Sequence, residues 1–222
     1  MSCPLCGESS LLAETFEARG LSYCLCTCGL IFHKNMMTPE ALAEYYKGEY
    51  RNWEEPTDTS FRKEGQRAER LIGFMDFAPA NVLDIGSSTG LLLKSLQSKY
   101  GCDVVGIEPN DKYRKYSRRL GLNVLDNLGK LDGEQFDLIT IIHTLEHFTE
   151  PLELLEKAQN LMADGGKLLI EIPLQNVAYA HPIVFTEKTF ERMLNTAGFV
   201  IEKAEATARD MRALTEYGRM VE

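Results

Sequence analysis

An α/β fold with a mainly parallel sheet, preceded by a small cysteine-bearing module, is what this 222-residue sequence predicts. Three observations point there. From residue 81 onward, apolar runs of strand length alternate with segments of helical periodicity. One of those runs, Val82-Leu83-Asp84-Ile85, leads straight into the turn Gly86-Ser87-Ser88-Thr89-Gly90, and the next, Val104-Val105-Gly106-Ile107, closes on Glu108. Finally, five of the six cysteines fall within the first 28 residues.

The chain is long enough for one full core and a small additional module. A hydrophobic content of 44% and a charged content of 26% are those of a globular protein. There is no apolar run of about 18 residues and no basic region followed by an apolar stretch at the start, so the expectation is a cytoplasmic chain that neither spans a membrane nor is exported. A net charge of −9 argues against a broad nucleic-acid surface, whose affinity would come from clustered Lys and Arg. A local basic run, Lys112, Arg114, Lys115, Arg118 and Arg119, reads as the solvated face of a helix.

In the N-terminal module, Cys3-Pro4-Leu5-Cys6-Gly7 is a tight knuckle that aims two thiolates at one point, and a second knuckle ends at Cys28-Gly29. The intervening chain has the length of a short hairpin, which predicts a closed four-sulfur zinc site of structural type. The second knuckle is irregular because Leu25 stands where a C-x-x-C-G pair has its first cysteine. Either Cys24 or Cys26 is the fourth ligand beside Cys3, Cys6 and Cys28, and ligand spacing alone slightly favours Cys24. His33 is a further potential ligand, although four cysteines already suffice. A reducing compartment argues against disulfides, and Cys102, at the start of an apolar run, reads as a core residue.

A connecting segment follows, giving expected domains at 1–36, 37–75 and 76–222. Thr38 as N-cap and Pro39 at the first helical position predict a short helix through Tyr46. Tyr45, Tyr46, Tyr50 and Trp53 form an aromatic stretch suited either to a lid or to packing between module and domain. Phe61, Ala68, Leu71 and Ile72 recur at helical spacing between residues 60 and 74.

In the α/β region the pattern predicts strands at 82–86, 102–107, 122–125, 136–142, 167–172 and 199–206, with helices at 90–99, 111–120, 152–162 and 187–197. Gly165-Gly166 makes a turn before the fifth strand, and Gly198 stops the last helix. Right-handed crossovers bring the strand ends to one edge, beyond which a ligand belongs.

The glycine turn does not have the spacing of a dinucleotide fingerprint, since Gly86, Ser88 and Leu91 occupy its three glycine positions. Small residues at 86, 88 and 90, with Asp84 two places ahead, suit an ammonium group better than a phosphate. An acidic residue at the end of the next strand, here Glu108, can accept hydrogen bonds from two ribose hydroxyls. These residues resemble the first motif of class I S-adenosylmethionine-dependent methyltransferases, with Ser88 standing where glycine is commoner. Phe136-Asp137-Leu138-Ile139 leading to Leu145-Glu146-His147 resembles a segment of small-molecule members of that group. So does Glu171-Ile172-Pro173, followed by Tyr179, His181 and a helix ending in Ala197-Gly198-Phe199. With the cysteines, the whole is similar to methyltransferases that carry an N-terminal zinc ribbon, some of which act on sugars.

The resemblance implies a Rossmann-like, mainly parallel seven-stranded sheet and in-line transfer of a methyl group from S-adenosylmethionine to a small molecule, leaving S-adenosylhomocysteine. It implies that Asp84, Gly86, Ser87, Ser88 and Gly90 line the cofactor's methionine part, that Glu108 holds the ribose, and that the turn Asp126-Asn127-Leu128 meets adenine. His143 is expected on the methionine side, and Tyr179 and His181 on the acceptor side. His147 is the expected general base, because an imidazole with a pKa near about 6.5 accepts a proton at neutral pH, and Glu146 would orient it. Two other readings remain open: an RNA methyltransferase that uses the ribbon to bind nucleic acid, and a non-catalytic cofactor-binding protein. The acceptor atom and the oligomeric state are not legible.

Overall fold

The structure, a computed structural model, describes residues 2–9, 12–18, 20–48, 57–131, 133–178, 180–207 and 209–217. The part of the aromatic stretch that holds Tyr50 and Trp53 lies outside them, as does Tyr179. Among the described residues the chain forms a four-stranded and a seven-stranded sheet. By internal contacts it divides into two compact units. The first comprises residues 1–42, 142–160 and 169–222, and the second residues 43–141 and 161–168.

In the first unit, β1 (Leu12–Ala18), β2 (Leu21–Cys26) and β3 (Ile31–His33) form an antiparallel meander. Its fourth strand is β9 (Ile183–Val184), from far along the sequence, paired antiparallel with β3. Tyr23, Leu30 and Phe32 are fully buried beneath it. This unit also holds α5 (Pro151–Asn160), α6 (Glu187–Thr196), β10 (Phe199–Ala206) and β11 (Asp210–Tyr217). A reciprocal capping box between Thr186 and Thr189 starts α6.

α1 (Pro39–Gly48), at whose start Thr38 accepts the Ala41 N–H as expected, runs from the first unit into the second, which continues with α2 (Asp58–Phe74), burying Ala68, Leu71 and Ile72. Then come β4 (Asn81–Ile85), α3 (Leu91–Tyr100), β5 (Asp103–Ile107), α4 (Asp111–Arg119), β6 (Asn123–Leu125) and β7 (Phe136–Ile142). β4 lies between β5 and β7 and is parallel to both, so Val82, Leu83 and Ile85 are sealed on both sides. β8 (Met162–Pro173) completes the large sheet, whose order is β10-β11-β8-β7-β4-β5-β6. β10 and β11 are antiparallel, which makes the sheet mixed at that edge. No helix among the described residues is long and apolar enough to cross a membrane.

The sequence expectations fail at two places. β11 is absent from them. β8 begins at Met162, so Gly165-Gly166 falls inside the strand span; Gly165 has φ 73°, and a Cβ on Gly166 would stand 2.9 Å from the carbonyls of Ala163 and Phe136. On α4 the basic run is mostly exposed as expected, at Lys112, Lys115, Arg118 and Arg119, and two of its arginines also serve the backbone. Arg114 donates to the Glu108 and Pro109 carbonyls at 2.7 and 2.9 Å, and Arg118 donates to the Val124 carbonyl, so both satisfy backbone oxygens at strand ends.

Candidate functional site

In the second unit the loop after β4 is held from beneath. Gly86 and Ser87 donate their N–H groups to the Ile107 carbonyl at 2.8 and 3.0 Å, and the Gly90 N–H closes on the Ser87 carbonyl. Gly86 and Gly90 have φ 85° and 76°, and Ser88 takes φ 49°, a left-handed conformation that glycine adopts without cost and that L side chains resist. That conformation accounts for the motif's usual glycine at this position, where this chain has Ser88. Gly90 is needed for space as well, since a Cβ there would lie 2.5 Å from Leu122.

Glu108, at the end of β5, is buried and grips this loop. One carboxylate oxygen accepts the Ser88 N–H at 2.9 Å and the other the Asn110 N–H at 2.8 Å. Each carboxylate oxygen can accept from two donors at once, the kind of acceptor that two vicinal hydroxyls need. Asn110 went unmarked in the sequence reading. It caps α4 with its side-chain oxygen and donates from Nδ2 to the Tyr46 and Lys47 carbonyls at 3.3 Å, tying the end of α1 to the same place. Thr89 donates to Glu64 of α2 at 2.7 Å, and Ser117 donates to the Ser88 carbonyl.

Asp84 is buried on β4 and accepts from Thr140 Oγ1 at 2.7 Å. Burial, aided by the charge of Glu108 and outweighing that hydrogen bond, raises its pKa from 3.8 to about 6. Ser87 Oγ is buried without a hydrogen-bond partner among the described residues, a polar group at the loop that a ligand could satisfy. Loop, carboxylates and hydroxyl together fit an adenosyl compound with an ammonium group. Asp126 and Asn127 bond to each other, Asp126 also pairs with Lys130, and Leu128 starts a single 3₁₀ turn on the surface.

In the first unit, imidazoles and carboxylates gather around the 3₁₀ turn Leu145–His147. His143, at φ 48°, donates its backbone N–H to the Glu171 carbonyl at 2.7 Å. Its Nε2 stands 3.2 Å from Glu171 Oε1 and 3.6 Å from Asp210 Oδ1, so the structure surrounds His143 with carboxylates. Arg212, on β11, pairs with buried Glu171 at 3.1 Å and with Glu205 at 3.4 Å. His147 Nδ1 lies 2.7 Å from the Ala180 carbonyl. A carbonyl can only accept, so Nδ1 carries the proton and Nε2 is the basic nitrogen of the neutral ring. Glu146 Oε1, buried, is 3.9 Å from both His147 Nε2 and His143 Nδ1, too far for a hydrogen bond and an ion pair only when the imidazole is protonated. The His181 ring meets His147 edge-on at 4.7 Å, and its Nδ1 is 3.1 Å from the Asn176 carbonyl. Arg212 and Asp210 were missed with β11, and sequence gave no cue to the pairing of Arg212 with Glu171 or of Asp210 with His143.

Four thiols converge at the N-terminus: Cys3, Cys6, Cys26 and Cys28 lie within 4.8 Å of one another, with Cys3–Cys28 at 3.6 Å and Cys6–Cys26 at 3.5 Å. Zn–S bonds of about 2.3 Å put tetrahedral sulfurs about 3.8 Å apart, so the group fits zinc, and these contacts are too long for disulfides. The fourth sulfur is Cys26; Cys24, two residues earlier on β2, is buried outside the group. The structure thus selects one of the two alternatives, and not the one that spacing favoured. For Cys26, burial opposes ionisation, but hydrogen bonds from the Cys28 backbone and neighbouring thiols outweigh it, bringing the pKa down to about 7; burial pushes Cys3 and Cys28 up. His33 takes no part. Its Nε2 is 2.8 Å from the Tyr23 hydroxyl, and burial lowers its pKa.

A family model described as a methyltransferase domain matches residues 60–204. Curated relatives include the ubiquinone biosynthesis O-methyltransferases of Coxiella burnetii, 31% identical over 121 residues, and of Actinobacillus pleuropneumoniae, 31% identical over 117 residues. The first match covers 50% of this chain and 51% of the relative, the second 46% and 47%, so the chain spans about half the length of the curated relatives it matches. Among solved structures, a SAM-dependent methyltransferase from Aquifex aeolicus is 20% identical with a TM-score of 0.58, covering 74% of this chain and all of that one. The CcbJ methyltransferase from Streptomyces caelestis is 17% identical with a TM-score of 0.59, covering 80% and 96%. At these identities the structural likeness is one of fold, a Rossmann-like sheet of the class I type.

Proposed function

The chain belongs to the methyltransferase-domain family, and from that membership we propose that it moves the methyl group of S-adenosylmethionine onto a hydroxyl of a small molecule. The observation that carries the reading is Glu108, locked by the Ser88 and Asn110 N–H groups at the end of β5, where a ribose diol finds its acceptor. Asp84 takes the ammonium group directly or through water, and the 86–90 loop lines the methionine part. The names of the curated relatives support oxygen as the receiving atom, and the acidic balance of the chain supports a small acceptor over RNA.

The sulfonium supplies an electrophilic methyl group and a neutral leaving group. The chain's own residues align the acceptor in line with the S–CH₃ bond and remove its proton, and orientation of this kind is worth up to about 7–11 kcal/mol in the best cases. His147 is the proposed base: its Nδ1–H to Ala180 leaves Nε2 as the basic atom, and the Glu146 carboxylate stabilises the imidazolium that forms. His181 packs against that ring on the acceptor side. Cys3, Cys6, Cys26 and Cys28 would hold a structural zinc ion. Cysteines held as metal ligands rather than as disulfides suit a reducing compartment, which supports the cytoplasm as the site of action.

Two variants test the reading. Glu108→Ala should weaken S-adenosylmethionine binding by at least about tenfold in calorimetry, as expected for lost charge-assisted hydrogen bonds. His147→Ala should bind the cofactor normally yet form S-adenosylhomocysteine at least about a hundredfold more slowly with a phenolic or sugar acceptor that the native protein methylates. Cofactor binding unaffected by Glu108→Ala sinks the cofactor assignment, and normal turnover by His147→Ala sinks the base.

A further inference from the structure

The small sheet joins the cysteine group to the imidazole cluster. The turn between Cys26 and Cys28 is closed by the Gly29 N–H on the Cys26 carbonyl at 2.8 Å and by the Cys26 N–H on the Leu30 carbonyl at 2.9 Å. β3 begins at the next residue, with Ile31 opposite Val184 and Phe32 opposite Ile183. The His33 N–H then donates to the Pro182 carbonyl at 2.8 Å, so three successive β3 residues are matched to the chain down to residue 182. Immediately before that come His181, whose ring meets His147, and Ala180, whose carbonyl fixes the His147 tautomer. From α6 in the same unit, Arg192 Nη1 reaches the Cys28 carbonyl at 3.5 Å.

We propose that the cysteine knuckle and β3 are the positioning element for His147: by holding β9 and the residues just before it, they place the Ala180 carbonyl and the His181 ring that make Nε2 of His147 the basic atom. This rests on the zinc and methyl-transfer readings and goes beyond both, because it gives the knuckle a task in the chemistry rather than only in folding. The link is physical at each step. The four converging sulfurs, 3.5 and 3.6 Å apart in two pairs, have the spacing of a tetrahedral zinc site, so a bound zinc ion would pin Cys26 and Cys28 at either side of the turn. Without it the 26–30 turn is no longer fixed, and β3 loses its register against the two-residue strand β9, whose only neighbour in that sheet among the described residues is β3. A backbone carbonyl bonded to Nδ1 is the kind of supporting contact that sets an imidazole's tautomer. Once it is lost, the two ring nitrogens share the proton according to solvent.

The experiment needs no acceptor. Zinc content is measured on the full-length protein, then the metal is stripped with a strong chelator and restored with zinc chloride. In the zinc-loaded form, ¹⁵N imidazole spectra should show His147 as the Nδ1–H tautomer, and hydrogen exchange should show a protected His33 amide. Stripping should move His147 to the mixed tautomer of a solvated histidine and reduce His33 protection by at least about tenfold. S-adenosylmethionine affinity should stay within about twofold throughout, and zinc should reverse both changes. Cys28→Ser should reproduce the stripped state and Cys24→Ser the native one. Loss of zinc with an unchanged His147 tautomer and a protected His33 amide overturns the proposal. A thiol-intact preparation with no zinc overturns it together with the zinc reading, and absence of cofactor binding before stripping points instead to failure of the methyl-transfer reading.

Discussion

Asp84 shows how one residue sets two opposite pH dependences. Folding raises its pKa from 3.8 to about 6, so the folded protein binds this proton more tightly than the unfolded chain does. The stability that the proton contributes is complete below pH 3.8 and is lost as pH rises through about 6. Binding a cationic ammonium group runs the other way, because it needs the carboxylate. S-adenosylmethionine affinity should therefore rise by up to about tenfold per pH unit below pH 6 and level off above it, while the urea midpoint falls over the same interval. Asp84→Asn should flatten both curves and keep the Thr140 contact. A calorimetric pH series that shows constant affinity from pH 5 to 7 would remove Asp84 from the ammonium site.

Among the elements, what was legible followed from chemistry carried by local sequence. The glycine turn after β4 and the acid after β5 could be read because positive φ and a strand-end carboxylate each demand particular residue types. The cysteine pairs could be read because thiolate ligands recur at fixed spacings. Cys24 and Cys26 could not be told apart, since that choice rests on how β2 pairs with β1 and β3, which spacing does not encode. β11 escaped for a related reason: Met211 to Thr215 are all buried, so there is no two-residue alternation to see, and Arg212 interrupts what would otherwise be an apolar run. The partner that makes a buried arginine acceptable, Glu171 of β8, is 41 residues away (212 − 171). Removing either one takes from the other its buried opposite charge, leaving Glu171 beside His143 and Arg212 beside the exposed Glu205. Arg212→Leu should thus lower the unfolding free energy by about 3–5 kcal/mol, and adding Glu171→Gln should recover part of that loss, a double-mutant signature read by urea denaturation. Equal, additive losses would mean that the two side chains act independently and that β11 is held in the sheet by its backbone and apolar neighbours alone.

At the scale of the whole molecule, neither compact unit is a continuous stretch of chain. The backbone passes from one to the other four times, after residues 42, 141, 160 and 168. Neither unit can be excised as a fragment, and β8 contributes residues to both, so unfolding of one breaks a strand that the other uses. Two-state behaviour is therefore expected despite the division. The proposed cofactor residues, Asp84, the 86–90 loop and Glu108, all belong to the second unit, whereas the cysteine group belongs to the first. A ligand that binds only the folded state adds about 2.7 kcal/mol when present at a hundred times its Kd. S-adenosylmethionine at that concentration should raise the Tm of a single transition, and near-ultraviolet circular dichroism and cysteine-thiol exposure should report it together, although the thiols lie in the unit that carries none of those residues. Two transitions, of which only one moves with the cofactor while the thiols are exposed at an unchanged temperature, would show that the units melt separately and that crossing the chain between them does not couple their stability.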